Sequence, residues 1–380
     1  MAQFSRALAA LALLALTLGL ALSTAHTAAT ATPRLQGSTS TALQSSWQIN
    51  LDNHTGAYSL SNGSAGTNLA DVQMTQQDTS NVYIRATGIP SYAIGPFPQN
   101  PATPDEQNYR FRLPKNPTEE LGTKRATGLG QIGVLVNGVP IYNALDAFSW
   151  STSLEQDLPN NGAGQHGDGV WNRNAIIAEA ISFDSCLGHP APGQNAANGR
   201  YHNHQDPSCL RSMLGDDGAQ HSPIIGWSFD GYPIYGPYGY SAATDTGSAV
   251  KRLSSSYRLR NITQRTTLPN GTVLQPSQYG PAISAQRPLG MYVEDFEYVG
   301  GLGDLDQYNG RMTVTSEYPE GIYAYHTTLD VNGAAAYPYF VGPQYFGVVA
   351  TDNFGPGQVT IPADAQIIAP QRRYLPFTLR

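Results

Sequence analysis

"IGVLVNGVPIYNALDA", residues 132 to 147, is the stretch whose reading decides the fold. Two runs rich in valine and isoleucine flank Asn137-Gly138, a dipeptide that tolerates left-handed backbone and so closes tight β-hairpins. Strand signals continue on both sides. "NVYIRATGIP" carries β-branched and aromatic residues, and "QNYRFRLPK" alternates Tyr109, Phe111 and Leu113 with Arg110 and Arg112, which predicts one buried and one wet face. "SPIIGWSFDGYPIYGPYGY" is a further apolar strand region, interrupted at Asp230-Gly231, and "RMTVTSEY", "GIYAYHTTL" and "YPYFVG" follow in the last third. The one helix candidate is "WNRNAIIAEAISF", 171–183, for which strand is an alternative. Gly (39), Pro (27) and Tyr (22) are plentiful, and charged residues make up 13% of the chain, against about 25% in an average protein. Such a composition suits short strands joined by many turns. The expected fold is mainly β: a single large antiparallel, sandwich-like domain over residues 46–380, with one or two short helices and long loops.

The first residues bear on compartment. Arg6 precedes an uncharged apolar run from Ala7 to Leu22, and Ser23, Thr24 and Ala25 follow, the order of a signal peptide over residues 1–25. Residues 26–45 have almost no bulky apolar side chain to offset the entropy of folding and read as a disordered lead-in. The expected location is secreted or extracellular, with no membrane span. A net charge of −7 without a basic run argues against nucleic acid and favours a small ligand, a metal ion or a glycan as partner. Sequons at Asn53, Asn62, Asn261 and Asn270 are candidate glycosylation sites.

"GRYHNHQDPSCL", residues 199–210, holds the densest chemistry. Cys186 and Cys209 are the only two cysteines, an even count in an exported chain, so a disulfide is expected. Its loop of 22 intervening residues corresponds to about 3 kcal/mol of stabilisation. Within that loop lie His189, His202 and His204, with His221 shortly after. On an extended strand His202 and His204 point to one face about 7 Å apart and could converge on one cation. Imidazole suits zinc or copper, with a carboxylate from Asp184, Asp206 or Asp230 to complete the set. The alternative is that the histidines hydrogen-bond to carbonyls and brace the loop. Tyr201, Trp227, Tyr232 and Tyr235 are candidates to line a ligand cleft, or else core packing. "GDLDQYNGR" offers oxygens from Asp304, Asp306 and Asn309 for calcium, without the spacing of an EF-hand. Nucleophilic catalysis finds no G-x-S-x-G, and H-E-x-x-H is absent.

Taken together, "DSCLGHPAPGQNAANGRYHNHQDPSCL", "HSPIIGWSFDGYPIYGPYG", "GQIGVLVNGVPIYNALDA" and "GLGDLDQYNGRMTVTSEYPEGIYAY" resemble the YHYH-domain proteins over about residues 80–345. The resemblance implies a secreted or cell-surface protein and places the family's histidine pair on His202 and His204 and its first tyrosine on Tyr201. Asn203 stands where the tetrad has its second tyrosine; on a strand it faces away from the histidines and so bears on packing. Three functions stay open: a metal- or small-ligand-binding extracellular domain using His202 and His204 with His189, His221 or Asp230, a metalloenzyme using the same cluster, and an adhesion or matrix protein.

Overall fold

The computed structural model describes residues 40–57, 67–100, 102–160, 165–192, 198–355 and 357–370. The signal peptide, residues 26–39 of the lead-in and the sequon at Asn62 lie outside the described residues.

The fold is mainly β. An eight-stranded sheet runs in the order Gly310–Thr313, Ile322–His326, Pro233–Tyr235, Ile224–Ser228, Gln131–Leu135, Pro140–Tyr142, Arg200–Asn203, Gly188–Ala191. Two of its pairings are parallel, Asn203 beside Ile141 and Tyr235 beside His326, so the sheet is mixed where the sequence suggests only antiparallel strands. Parallel neighbours require long crossovers that hydropathy does not reveal. A four-stranded sheet, Gln366–Ile367, Val72–Gln77, Asn81–Ala86, Tyr109–Pro114, shares its core with the large one. Val82, Ile84, Phe111 and Leu113 of the smaller sheet join Val134, Ile141, Trp227 and Ile234 of the larger in one apolar cluster, which gives the sandwich-like packing. Tyr109, Phe111 and Leu113 are buried and Arg110 and Arg112 half-buried, as their alternation predicts.

Both Gly-containing turns close hairpins by the same device. Gly138 N–H donates to Leu135 O (2.8 Å) and Gly231 N–H to Ser228 O (2.8 Å). Each glycine has positive φ, 81° and 85°. A Cβ on Gly138 would sit 2.4 Å from that of Ala86, so this turn needs glycine for space as well as conformation.

Two local expectations are corrected. The last residues of the lead-in, Ser40–Ser45, form a short helix. Leu43 and Trp47, four residues apart, are both buried, and Ser46 Oγ accepts from Trp227 Nε1 at 2.9 Å. The helix candidate at 171–183 is broken into a strand Asn172–Asn174, one helical turn Ala175–Ala178 and a 3₁₀ turn Ala180–Ser182. Asn174 Oδ1 caps the helical turn by accepting from Ile176 N–H, and Glu179 occupies the break between the two turns.

Candidate metal centre

His189 and His202 are directly opposed on the antiparallel strands Gly188–Ala191 and Arg200–Asn203, and His204 lies two residues beyond His202. Cross-strand opposition and the two-residue repeat put all three imidazoles on one face. The Cys186–Cys209 disulfide ties the ends of this hairpin, from just before its first strand to the short helix Ser208–Met213. Asp184 braces the same turn, accepting from Cys186 and Gly188 N–H, from Gly95 N–H and from the Tyr201 hydroxyl. Asn203 is fully buried on the opposite face and donates to the carbonyls of Cys186 and Leu187.

The hydrogen bonds fix the tautomers. His202 Nδ1 lies 2.8 Å from Arg200 O and His204 Nδ1 2.5 Å from Asn143 O. A carbonyl only accepts, so both Nδ1 atoms carry hydrogen. Ser182 Oγ gives its proton to Glu179 O (2.7 Å) and is left to accept from His189 Nδ1 (2.6 Å). Each neutral ring therefore presents a bare Nε2. These atoms converge: His202 Nε2 lies 3.1 Å from His189 Nε2 and 2.9 Å from His204 Nε2, and all three are within 4.8 Å of one another. The three residues are 4%, 1% and 3% exposed. Burial, with the neighbouring imidazoles, pushes His202 well below the ordinary histidine range, and burial lowers His189 against the pull of Glu179.

Glu179 is the residue that sequence reasoning missed. Its Oε2 is buried without a hydrogen-bond partner, 3.4 Å from His189 Nε2 and 3.2 Å from His204 Nε2. Burial raises its pKa, but His189 and His204, when a proton sits on them, outweigh burial and hold the carboxyl below its usual range. Tyr142 stacks on His202 at 3.8 Å between centroids, and Phe183 meets His189 edge-on at 4.7 Å. Three lone pairs and a carboxylate with no donor between them require positive charge at their centre, supplied by a proton or a metal cation. A tetrahedral ion with bonds of about 2.1 Å spaces its ligands about 3.4 Å apart, so the His189–His202 and His202–His204 nitrogen pairs need open by only a few tenths of an ångström.

The other expected residues lie elsewhere. His221 packs against Tyr235, Tyr240 and His326, outside the group of three. Asp230 is in the core, accepting from Tyr325 Oη and Gly347 N–H. Asp206 is paired with Arg211 and Thr327. Tyr201, Trp227, Tyr232 and Tyr235 are all buried among core residues, so they line no open cleft; their apolar rings outweigh their polar tips. Around the calcium candidate, Asp304 is taken by Lys251 and Ser254 and Asp306 by Tyr323 and backbone N–H groups, while Asn309 Nδ2 donates to two carbonyls and its Oδ1 is buried without a hydrogen-bond partner. Asn53, Asn261 and Asn270 are exposed.

The family model described as YHYH protein matches residues 110–337. It covers more than half of the chain, and the chain belongs to that family. No curated protein matches it, and no solved structure does.

Proposed function

For this YHYH-family chain we propose an exported, metal-binding domain that holds one zinc or copper ion on Nε2 of His189, His202 and His204, with Glu179 as the fourth, anionic ligand. The observation that carries the reading is the convergence of three bare Nε2 atoms whose Nδ1 hydrogens are all committed to other acceptors. Outer partners of this kind orient metal-ligating histidines and raise their basicity. Ser182, Arg200 O and Asn143 O are those partners here. Three neutral imidazoles and one carboxylate leave a bound dication with a net charge of +1, in a pocket walled by Tyr142 and Phe183. With Glu179 in place the four positions are filled by protein, the pattern of a retained, structural ion.

The disulfide and the surface positions of Asn53, Asn261 and Asn270 support export and glycosylation. Elemental analysis of tag-free protein after zinc loading tests the reading. One equivalent is expected, falling below about 0.2 equivalents in the His202→Ala/His204→Ala variant. Binding that this variant retains in full would overturn the assignment. A mass decrease on endoglycosidase treatment is the corresponding check on the sequons.

A further inference from the structure

At the far end of the same sheet a second pair of imidazoles is arranged by the same rule. His221 precedes the strand Ile224–Ser228, and His326 ends the strand Ile322–His326. His221 Nδ1 donates to Ser222 O (2.8 Å) and His326 Nδ1 to Gly236 O (3.0 Å). Those acceptors lie on adjoining backbone, linked by Tyr238 N–H to Ser222 Oγ and Gly236 N–H to Pro223 O. Both rings therefore hang from one region and turn Nε2 away from it. Each Nε2 is buried with no hydrogen-bond partner, and His326 is fully buried. The ring centroids are 5.9 Å apart, and Tyr235 covers both, stacked on His326 and edge-on to His221.

We propose that His221 and His326 form a second, independent metal site, selective for a monovalent soft cation, cuprous copper, held between the two Nε2 atoms. Two arguments select the ion. Two nitrogens complete a linear cuprous ion but leave zinc two ligands short. Two bonds of about 2 Å in line, with the ring radii added, span roughly 6 Å between centroids, close to the observed separation. The guanidinium of Arg311, which donates to Tyr240 O at 2.8 Å, stands near both rings; burial first and this charge next depress His326. Glu317 acts on His221 in the opposite sense and ahead of Arg311, so the net charge does not choose between a monocation and a dication here. A cavity of about 360 Å³, lined by His221, Asp216, Asp217 and Glu317, reaches His221 and presents carboxylates that attract cations. The neighbouring Tyr235 hydroxyl lies 3.2 Å from Glu317 Oε2, tying the cavity wall to the covering ring.

The test is cuprous titration of the full chain with one equivalent of zinc already filling the three-histidine centre, with ascorbate as reductant and bicinchoninate as competing chelator. The expected result is an equivalent of copper that His202→Ala retains and His221→Gln/His326→Gln loses, with zinc uptake unchanged in the latter. Should the double variant fail to fold, His221→Gln alone carries the readout, with circular dichroism to show folding, and copper-edge absorption of the wild-type protein should report two imidazole nitrogens. Cuprous binding that survives His221→Gln in folded protein, or that vanishes with His202→Ala, overturns the proposal. So does a failure of the full chain to compete with the chelator, which would leave the pair bridged by water.

Discussion

His189 and His202 sit on the last two strands at one end of the large sheet, with His204 just past the end of the strand that carries His202, while His326 lies on the second strand from the other end, with His221 beside it. Both groups commit Nδ1 to an acceptor and leave Nε2 bare. They differ in number and in surroundings: three rings with the Glu179 carboxylate at ligand distance at one end, two rings between Arg311 and the carboxylates of Glu317 and Asp216 at the other. Imidazole alone therefore does not define the ion. The number of converging nitrogens and a carboxylate at ligand distance do, three nitrogens with Glu179 suiting a four-coordinate dication and two nitrogens a linear monocation.

The largest effect should come from removing a ligand at the three-ring end. His202→Ala is expected to weaken zinc binding by more than the roughly 10–100-fold typical of losing an outer partner; isothermal titration measures it, and the two-ring site should not respond. Next, Cys186→Ser with Cys209→Ser removes about 3 kcal/mol of loop constraint, read as a lowered denaturation midpoint. Zinc affinity should fall with it, since the bridge ties the hairpin that carries His189 and His202. Glu179→Gln should cost about 10-fold or more in zinc affinity while sparing cuprous binding elsewhere. An equal loss at both ends would erase the distinction between the two groups.

The smallest effect is with pH. His189 and His202 are pushed below their unfolded pKa, so each contributes metal-free stability that is fully present above about 6.5 and is lost as pH falls through that value toward the folded one. Denaturant titrations between pH 7.5 and 5 should show stability falling, and His202→Gln should flatten the slope. Bound zinc should steepen it, because protons then compete with the metal.

Much of this was legible from residues alone. The alternation at Tyr109–Leu113, the turns at Gly138 and Gly231 and the Cys186–Cys209 bridge follow from local chemistry. So does the shared face of His202 and His204, with Asn203 turned toward Cys186 and Leu187. What escaped depends on strand order. His204 finds Asn143 O only because Pro140–Tyr142 runs parallel beside Arg200–Asn203. Glu179 reaches the histidines because the 175–183 segment breaks into two turns, and nothing in "WNRNAIIAEAISF" marks that break. His221, close to the cluster in sequence, belongs with His326, more than a hundred residues away. Sequence proximity made His221 a candidate to complete the site of His202 and His204, where the sheet builds two groups.

Zinc-edge X-ray absorption on the full chain carrying one equivalent of zinc tests the central claim most directly. Three imidazole nitrogens and one carboxylate oxygen at about 2.0–2.1 Å, with the oxygen shell altered in Glu179→Gln, is the predicted result. A spectrum of hydrated zinc, or one unchanged by His202→Ala, would contradict it.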